Sequence, residues 1–263
     1  MLVATWNINS LRARQDRLLA WLEKHGPDAL CLQETKLPDE QFPVAELARL
    51  GYRACFSGEK GLNGVAIVAR EEPREVELAL PGRDDDTQRR YLAATVGGVR
   101  LICVYVPNGQ TLGSDAFFYK LEWLARLQRH LVARYRADQP LLVLGDFNIA
   151  PDDRDVADPP AWKGRLHCTA HERRAIEYLT RWGLADALRA KHPETGLFSW
   201  FDYRGALGQG GRKQVEKNDG LRIDLILATA PLLARLEDVW IDLEERLGDK
   251  PSDHAPVLAR FRA

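Results

Sequence analysis

The stretch Tyr91-Leu-Ala-Ala-Thr-Val-Gly-Gly-Val-Arg-Leu-Ile-Cys-Val-Tyr-Val106 decides the fold class. Two β-rich runs flank Gly97-Gly98, and adjacent glycines supply the positive φ that a two-residue hairpin connection requires. The reading is an antiparallel hairpin. Just upstream, Gly64-Val-Ala-Ile-Val-Ala69 and Glu75-Val-Glu-Leu-Ala-Leu80 are strand-like as well, with no helical pattern between the runs, so the whole stretch is most simply antiparallel. The chain opens differently. Leu2 to Trp6 reads as a short strand that stops at Asn7, and Leu11, Leu18, Leu19 and Leu22 mark a helix face ended by Gly26-Pro27. Asp28-Ala-Leu-Cys-Leu-Gln-Glu34 is then a second buried strand, which makes a β-α-β unit.

In the other direction a helix is expected from about Ser114 to Tyr135, with Phe117, Leu121, Leu124, Leu131 and Tyr135 on one face. Pro140 to Gly145 is a further buried strand, Ala170 to Trp182 a second helix, and Leu221 to Leu227 a strand. Val239 to Leu243 and Val257 to Phe261 close the chain. The helices are too few and the strands too grouped for a barrel of eight βα units. The expected class is α/β (α+β), with two mixed sheets packed face to face and helices outside. No repeat and no linker divides the chain, so residues 1–263 are expected to form a single domain. One loop stands out: 204–218 carries four glycines and four cations, and is expected to be mobile and basic.

The 263 residues are 45% hydrophobic and 29% charged, which is the composition of an ordered globular protein. With 37 Lys+Arg against 38 Asp+Glu the net charge is -1, which excludes a polybasic binder that works by bulk charge alone but leaves room for a local basic face. No apolar run approaches the ~18 residues of a membrane span, and the N-terminus lacks the pattern of a signal peptide. The expected compartment is cytoplasmic, with nucleoid association if the source is bacterial; no membrane partner is expected, and without a heptad pattern a monomer. Cys31, Cys55, Cys103 and Cys168 show no metal-binding spacing and are expected to be reduced thiols.

Polar residues gather at the ends of the apolar runs: Trp6-Asn7, Gln33-Glu34, Val104-Tyr105, Gly145-Asp-Phe-Asn148, Arg222-Ile-Asp224 and Ser252-Asp-His254. Each has a bland alternative. Asn7 would cap a turn, Glu34 would be an exposed strand end, Asp146 would begin a turn, and Asp224 would pair with Arg222 or another cation. The set is harder to dismiss, because a carboxylate inside Leu-Arg-Ile-Asp-Leu-Ile-Leu needs a hydrogen-bond partner or a cation. Glu34, Asp253 and amide oxygens would suit Mg²⁺ or Mn²⁺ better than Zn²⁺. His254 adds an imidazole that titrates near neutral pH. A carboxylate, an imidazole and a hard divalent ion together describe the hydrolysis of a phosphate ester.

The segments TWNINSLRAR (5–14), DALCLQETK (28–36), GVAI (64–67), YVPNGQ (105–110), LGDFNIAP (144–151), FSWFDYR (198–204), GLRIDLIL (220–227) and PSDHAPV (251–257) occur in one order along the chain. In this the sequence resembles the exonuclease III family of AP endonucleases, within the endonuclease/exonuclease/phosphatase superfamily. The resemblance implies a four-layered α/β sandwich and a DNA repair nuclease dependent on Mg²⁺ or Mn²⁺. Its expected partner is double-stranded DNA with abasic sites or damaged 3′ ends. It would cut the phosphodiester 5′ to an abasic site and remove 3′ nucleotides or 3′ blocking groups.

Carried over by position, the resemblance makes Glu34 the principal metal ligand, with Asn7 close by and Asp253 on the other side. Asp146 would orient or deprotonate the attacking water and Asn148 would hold the scissile phosphate. His254 would contact a phosphate oxygen, its tautomer fixed by Asp224, while Tyr105 and Asn108 would bind the phosphate or stabilise the departing 3′ oxygen. The motif leaves open whether Asp146, Tyr105 or a water held by the metal is the working base. Trp200, Leu221 and Ile223 fall where the family has a small pocket for a sugar lacking its base. Arg12 and Asn218 are assigned to substrate contact, with Lys36 and the cations of the 204–218 loop as further phosphate contacts. That loop is longer and richer in glycine than is usual in the family. Two other readings stand beside this one: a phosphatase of another substrate class on the same fold, such as a phosphoinositide phosphatase, and a catalytically dead relative that binds RNA or a protein partner.

Overall fold

The protein is described by a computed structural model covering residues 1–202 and 210–262; the 203–209 part of the glycine-rich loop lies outside the described residues. The elements run β1 (Leu2–Asn7), α1 (Leu11–His25), β2 (Ala29–Gln33), α2 (Val44–Arg49), β3 (Arg53–Ser57), β4 (Val65–Ala69), β5 (Arg74–Glu77), β6 (Tyr91–Val96) and β7 (Val99–Tyr105). They continue with α3 (Asp115–Arg134), β8 (Leu141–Asp146), α4 (Pro159–Trp162), α5 (Ala170–Trp182), β9 (Leu184–Asp186), α6 (Ala187–Lys191) and α7 (Gly210–Lys217). The last are β10 (Asp224–Thr229), α8 (Ala230–Leu233), β11 (Leu236–Ile241) and β12 (Val257–Phe261).

The strands form two six-stranded sheets, ordered β11-β12-β1-β2-β4-β3 and β5-β6-β7-β8-β10-β9. At the centre of each lies a parallel pair, β1 with β2 and β7 with β8, joined by a helix. The remaining pairs are antiparallel. Gly97 and Gly98 take φ of 56° and 77°, the doubly positive turn the hairpin requires. Helix boundaries follow their local chemistry: Ser114 accepts from the Phe117 amide, Thr169 and Glu172 cap α5 reciprocally, and Gly26 ends α1 in the left-handed conformation.

Period-two alternation divides the apolar residues among three layers. Inward positions such as Val3, Cys31, Ile67, Leu101, Cys103, Leu144 and Ile226 pack between the sheets. Outward positions of the first sheet pack with Leu18, Trp21 and Leu22 of α1, and those of the second with Trp123, Leu127 and Leu131 of α3 and Ile176 of α5. The result is the expected four-layered sandwich. The four cysteines are free, three of them buried, with Cys31 and Cys103 in the inter-sheet layer.

The details differ from the sequence expectation at a few points. The run from Glu75 yields a strand only over Arg74–Glu77, and the Leu221 run becomes a strand only from Asp224. Strands β3 and β9 carry too little period-two contrast to announce themselves; β3 sits half exposed at a sheet edge and β9 has three residues. Part of the loop expected to be mobile is the helix α7.

The same alternation places the polar strand ends. Counting in twos from the inter-sheet core, Val3 leads to Asn7, Cys31 to Gln33, Cys103 to Tyr105 and Leu144 to Asp146, while Ile226 leads back to Asp224. Tyr105 pairs with Asp146 and Asp146 with Asp224 across the second sheet. One end of the apolar layer therefore turns polar as a single patch. Gly145 permits the close approach there, since a Cβ at this position would stand 1.9 Å from the Val104 carbonyl oxygen.

Candidate active site

Each side chain of the patch is aimed by a short local device. Glu34 and Lys36 follow β2 with φ of 51° and 53°, and Asn148 follows β8 with φ of 51°. Left-handed backbone at a residue with a Cβ costs about 1–2 kcal/mol, and here it turns three functional side chains back over the ends of the sheets. His254 lies in the loop before β12, fixed by the Trp6 indole donating to its carbonyl at 3.2 Å and by the Ser252 hydroxyl accepting from its amide.

Ligand atoms of Glu34, Asp146 and His254 lie within 4.8 Å of one another. The Asn7 amide nitrogen bridges the two acids, donating to Glu34 Oε1 at 2.8 Å and Asp146 Oδ2 at 2.9 Å, while its oxygen accepts from the Asn9 amide at 3.0 Å. Asn7, expected as a metal ligand, is thus a donor that sets the spacing of the carboxylates, because its lone pairs face away from them. Lys36, expected as a phosphate contact, lies 2.7 Å from Glu34 Oε2 and donates to Asn9 Oδ1. Burial opposes the charge on Glu34, but Lys36 and Asn7 outweigh it and hold the carboxyl below its ordinary range.

Asp146 is the opposite case. It is 1% exposed, and burial, together with Asp224 and Glu34 and against the pull of His254, pushes it up to about 7. His254 Nδ1 is 2.9 Å from Asp224 Oδ2, and its Nε2 is 3.9 Å from Asp146 Oδ2. Burial works against a charged imidazole, yet Asp224 and Asp146 overcome it and carry His254 up to about 10. Asp224 also accepts from Ser199 Oγ at 2.6 Å, and its buried Oδ1 has no hydrogen-bond partner among the described residues. Arg222 does not reach Asp224; it pairs with Asp155 at 2.6 Å and Asp186 at 2.7 Å, and the cation that Asp224 meets is His254. Tyr105 is pushed well above its ordinary value by burial and by the neighbouring Glu34, so the phenol is neutral and a donor.

The asparagines are arranged differently from expectation. Asn148 Nδ2 donates to the Val106 carbonyl at 3.0 Å and to Asp146 Oδ2 at 3.1 Å, which uses both its hydrogens. Its oxygen accepts from Asn108 Nδ2 at 3.0 Å. Asn148 therefore orients Asp146, and Asn108 in turn spends one amide hydrogen on Asn148. Asp253, expected among the ligands, stands outside the compact Glu34, Asp146 and His254 group. Its Oδ1 accepts from Asn9 at 2.9 Å and its Oδ2 from the Trp200 indole at 3.1 Å, because the 251–254 turn points it toward those donors.

Glu34, Tyr105, Asn108, Asp146, Asn148, Asp253 and His254 line a cavity of about 560 Å³ whose apolar wall is Trp162, Leu166, Trp200 and Ile223. Leu221 is 1% exposed and packs beneath Trp200 and Ile223, so it supports that wall without forming it. Arg12 and Asn218 are not at the cavity: Arg12 bonds Gln41, and the Asn218 amide is held by the Gly196 carbonyl at 2.8 Å. Sequence reasoning missed Asn9, Ser199 and His167. The first two are small polar residues whose partners are far along the chain, and His167 has no motif around it, although its ring meets the Asn148 carbonyl at 2.6 Å and lines the cavity.

At and just behind the cavity stand five carboxylates, Glu34, Asp146, Asp202, Asp224 and Asp253, against three cations, Lys36, Arg165 and His254. The imbalance and the oxygen-rich donor set fit a hard divalent cation, with Glu34 the accessible ligand and Asp146 beside it. His254 is a poor ligand while protonated on both nitrogens.

An inter-sheet cavity with acids, a charged imidazole and amide donors defines a phosphoester-hydrolase type of site. The chain belongs to the Endonuclease/Exonuclease/phosphatase family, whose model matches residues 4–254. It is 37% identical to Exodeoxyribonuclease III of Haemophilus influenzae, over 98% of each chain. Among solved structures it is similar to the 3′ phosphatase NExo from Neisseria bound to a product DNA hairpin, at 45% identity and a TM-score of 0.93, with 100% of both chains covered. It is also similar to an AP endonuclease from Archaeoglobus fulgidus, at 38% identity and a TM-score of 0.95, again over 100% of both chains.

Proposed function

We propose that this chain is a divalent-metal-dependent DNA repair nuclease that hydrolyses the phosphodiester 5′ to abasic sites and removes 3′ nucleotides or 3′ blocking groups. The observation that carries the reading is the convergence of Glu34, Asp146 and His254 at the polar end of the inter-sheet core, in a cavity that Trp162 and Trp200 also line. Relatives named as exodeoxyribonuclease, AP endonuclease and 3′ phosphatase support both halves of the activity. We place it as a monomer in the compartment that holds DNA.

Mg²⁺ or Mn²⁺, held by Glu34 with Asp146 alongside, would offset charge on the phosphate oxygens. Asp146 is poised as the base, since a carboxyl near 7 accepts a proton from water far better than an ordinary one, and Asn7 and Asn148 fix its direction. Tyr105, kept neutral, donates and does not serve as the base. His254 presents Nε2–H to a phosphate oxygen, its other nitrogen being spent on Asp224. Trp200, Ile223 and Trp162 leave room for a sugar without its base and exclude a stacked nucleotide by shape.

The purified protein should nick a duplex carrying a stable abasic-site analogue on its 5′ side, and release phosphate from a 3′-phosphorylated nick, when Mg²⁺ or Mn²⁺ is supplied. Chelator should abolish both. Full activity in chelator, or none on any DNA with metal present, would end this reading.

A further inference from the structure

Lys120 sits in the apolar stripe of α3, between Phe117 and Leu124, and its side chain is fully buried. A lysine on a helix face ordinarily reaches water, because an unpaired ammonium in the interior is far costlier than an apolar residue. Here all three ammonium hydrogens have acceptors. Nζ donates to the backbone carbonyl of Asn108 at 3.2 Å, to that of Asn148 at 2.7 Å and to Glu172 Oε1 at 2.5 Å. Glu172, buried at the start of α5, takes the amide and hydroxyl of Thr169 on Oε2 and the His167 amide on Oε1. Burial pulls His167 down to about 4, so the ring is neutral, and its Nδ1 is the donor to the Asn148 carbonyl.

Two loops meet on this one ammonium, the loop after β7 with Asn108 and the loop after β8 with Asn148, and the turn before α5 joins them through Glu172 and the His167 ring. Two of its three hydrogen bonds go to the backbones of the asparagines that orient Asp146 and face the phosphate. A pair serving only to join α3 to α5 would have no use for them, and a buried ion pair is often no more stabilising than an apolar pair of the same volume. We propose that Lys120 is a positioning residue for the hydrolytic reaction, fixing Asn108 and Asn148 relative to each other and, through Asn148, aiming the Asp146 carboxylate. The proposal rests on the nuclease reading given above.

Lys120→Met alone leaves Glu172 buried and uncompensated, and is expected to fold poorly. The informative protein is the Lys120→Met/Glu172→Gln variant, which removes both charges while keeping an acceptor for Thr169. Its kcat on the abasic duplex should fall on the order of 10²-fold with KM changed less than about threefold, as for a misaimed catalytic group. In an Asn148→Ala background the same pair should cost no more than about fivefold, because the group it acts through is gone. The side-chain amide resonances of Asn108 and Asn148 should also shift and exchange faster in the variant than in the parent. A kcat within threefold of the parent, additive losses in the two backgrounds, or unchanged amide resonances would overturn the proposal. A parent without nuclease activity would strike the functional reading instead, and the resonances would still decide the role of Lys120.

Discussion

The molecule uses one construction twice, a parallel strand pair joined by a helix at the centre of a sheet, and the two copies set up their carboxylates in opposite ways. In the first sheet Glu34 lies beyond the end of β2, partly open to the cavity and paired with Lys36, and stays ionised. In the second sheet Asp146 is the last residue of β8, buried, and close to two other acids, and it is pushed up to about 7. A single position along the strand separates the two: Gln33 occupies the inward place in β2 that Asp146 occupies in β8, and the acid of the first sheet is displaced into the loop. On the function proposed above, environment would divide the work between two chemically similar groups, one mainly to hold a cation and one to take a proton.

That division can be broken from either side. Asp146→Asn keeps the shape of the buried acid but removes the base and one of its two accepting oxygens, and turnover should fall on the order of 10³-fold or more in single-turnover cleavage. A loss under tenfold would mean the base is elsewhere. His254→Ala should lower turnover by on the order of 10²-fold with little change in KM, since its Nε2–H acts on charge that develops in the transition state. Near-full turnover would remove it from the chemistry. Glu34→Ala should act on the cation, raising the Mg²⁺ concentration for half-maximal rate by on the order of 10-fold or more, with much of the rate recovered at saturation. A uniform loss of rate at every Mg²⁺ concentration would show that the two acids do not divide as their environments indicate.

The fold was legible wherever the periodicity was strong. The glycine hairpin of β6 and β7 and the opening β-α-β unit follow from local pattern, whereas β3 and β9 are weak edge elements whose pairing is decided by the sheet they join. The site was legible as a set of polar strand ends, because an inward-facing Asp224 in an apolar run has few explanations. What the sequence hid was direction. An asparagine can donate or accept, so the turning of Asn7 and Asn148 toward the carboxylates depends on partners in other elements. Lys120 was hidden for a related reason: a lysine in a helical stripe reads as solvated surface, and only its partner at position 172, on another helix, shows otherwise.

The finest test of the contrast between the two acids is the pH dependence of cleavage. Asp146 is raised above its ordinary value, so its ionised form is present above about pH 7 and is lost as pH falls through that value. The rate at low metal concentration should fall with it on the acid side. A divalent cation held by Glu34 favours the carboxylate form of the neighbouring acid, so saturating Mg²⁺ should move the acid limb to lower pH. The effect is a displacement of the limb and not a change in the plateau, which makes it the smallest of those expected here. Glu34→Ala should abolish the displacement at moderate Mg²⁺, because the cation is then no longer held beside Asp146. An acid limb that ignores metal in the parent, or that shifts equally in the Glu34 variant, would mean that the two carboxylates do not communicate through a shared cation, and that the paired sheets hold two independent acids.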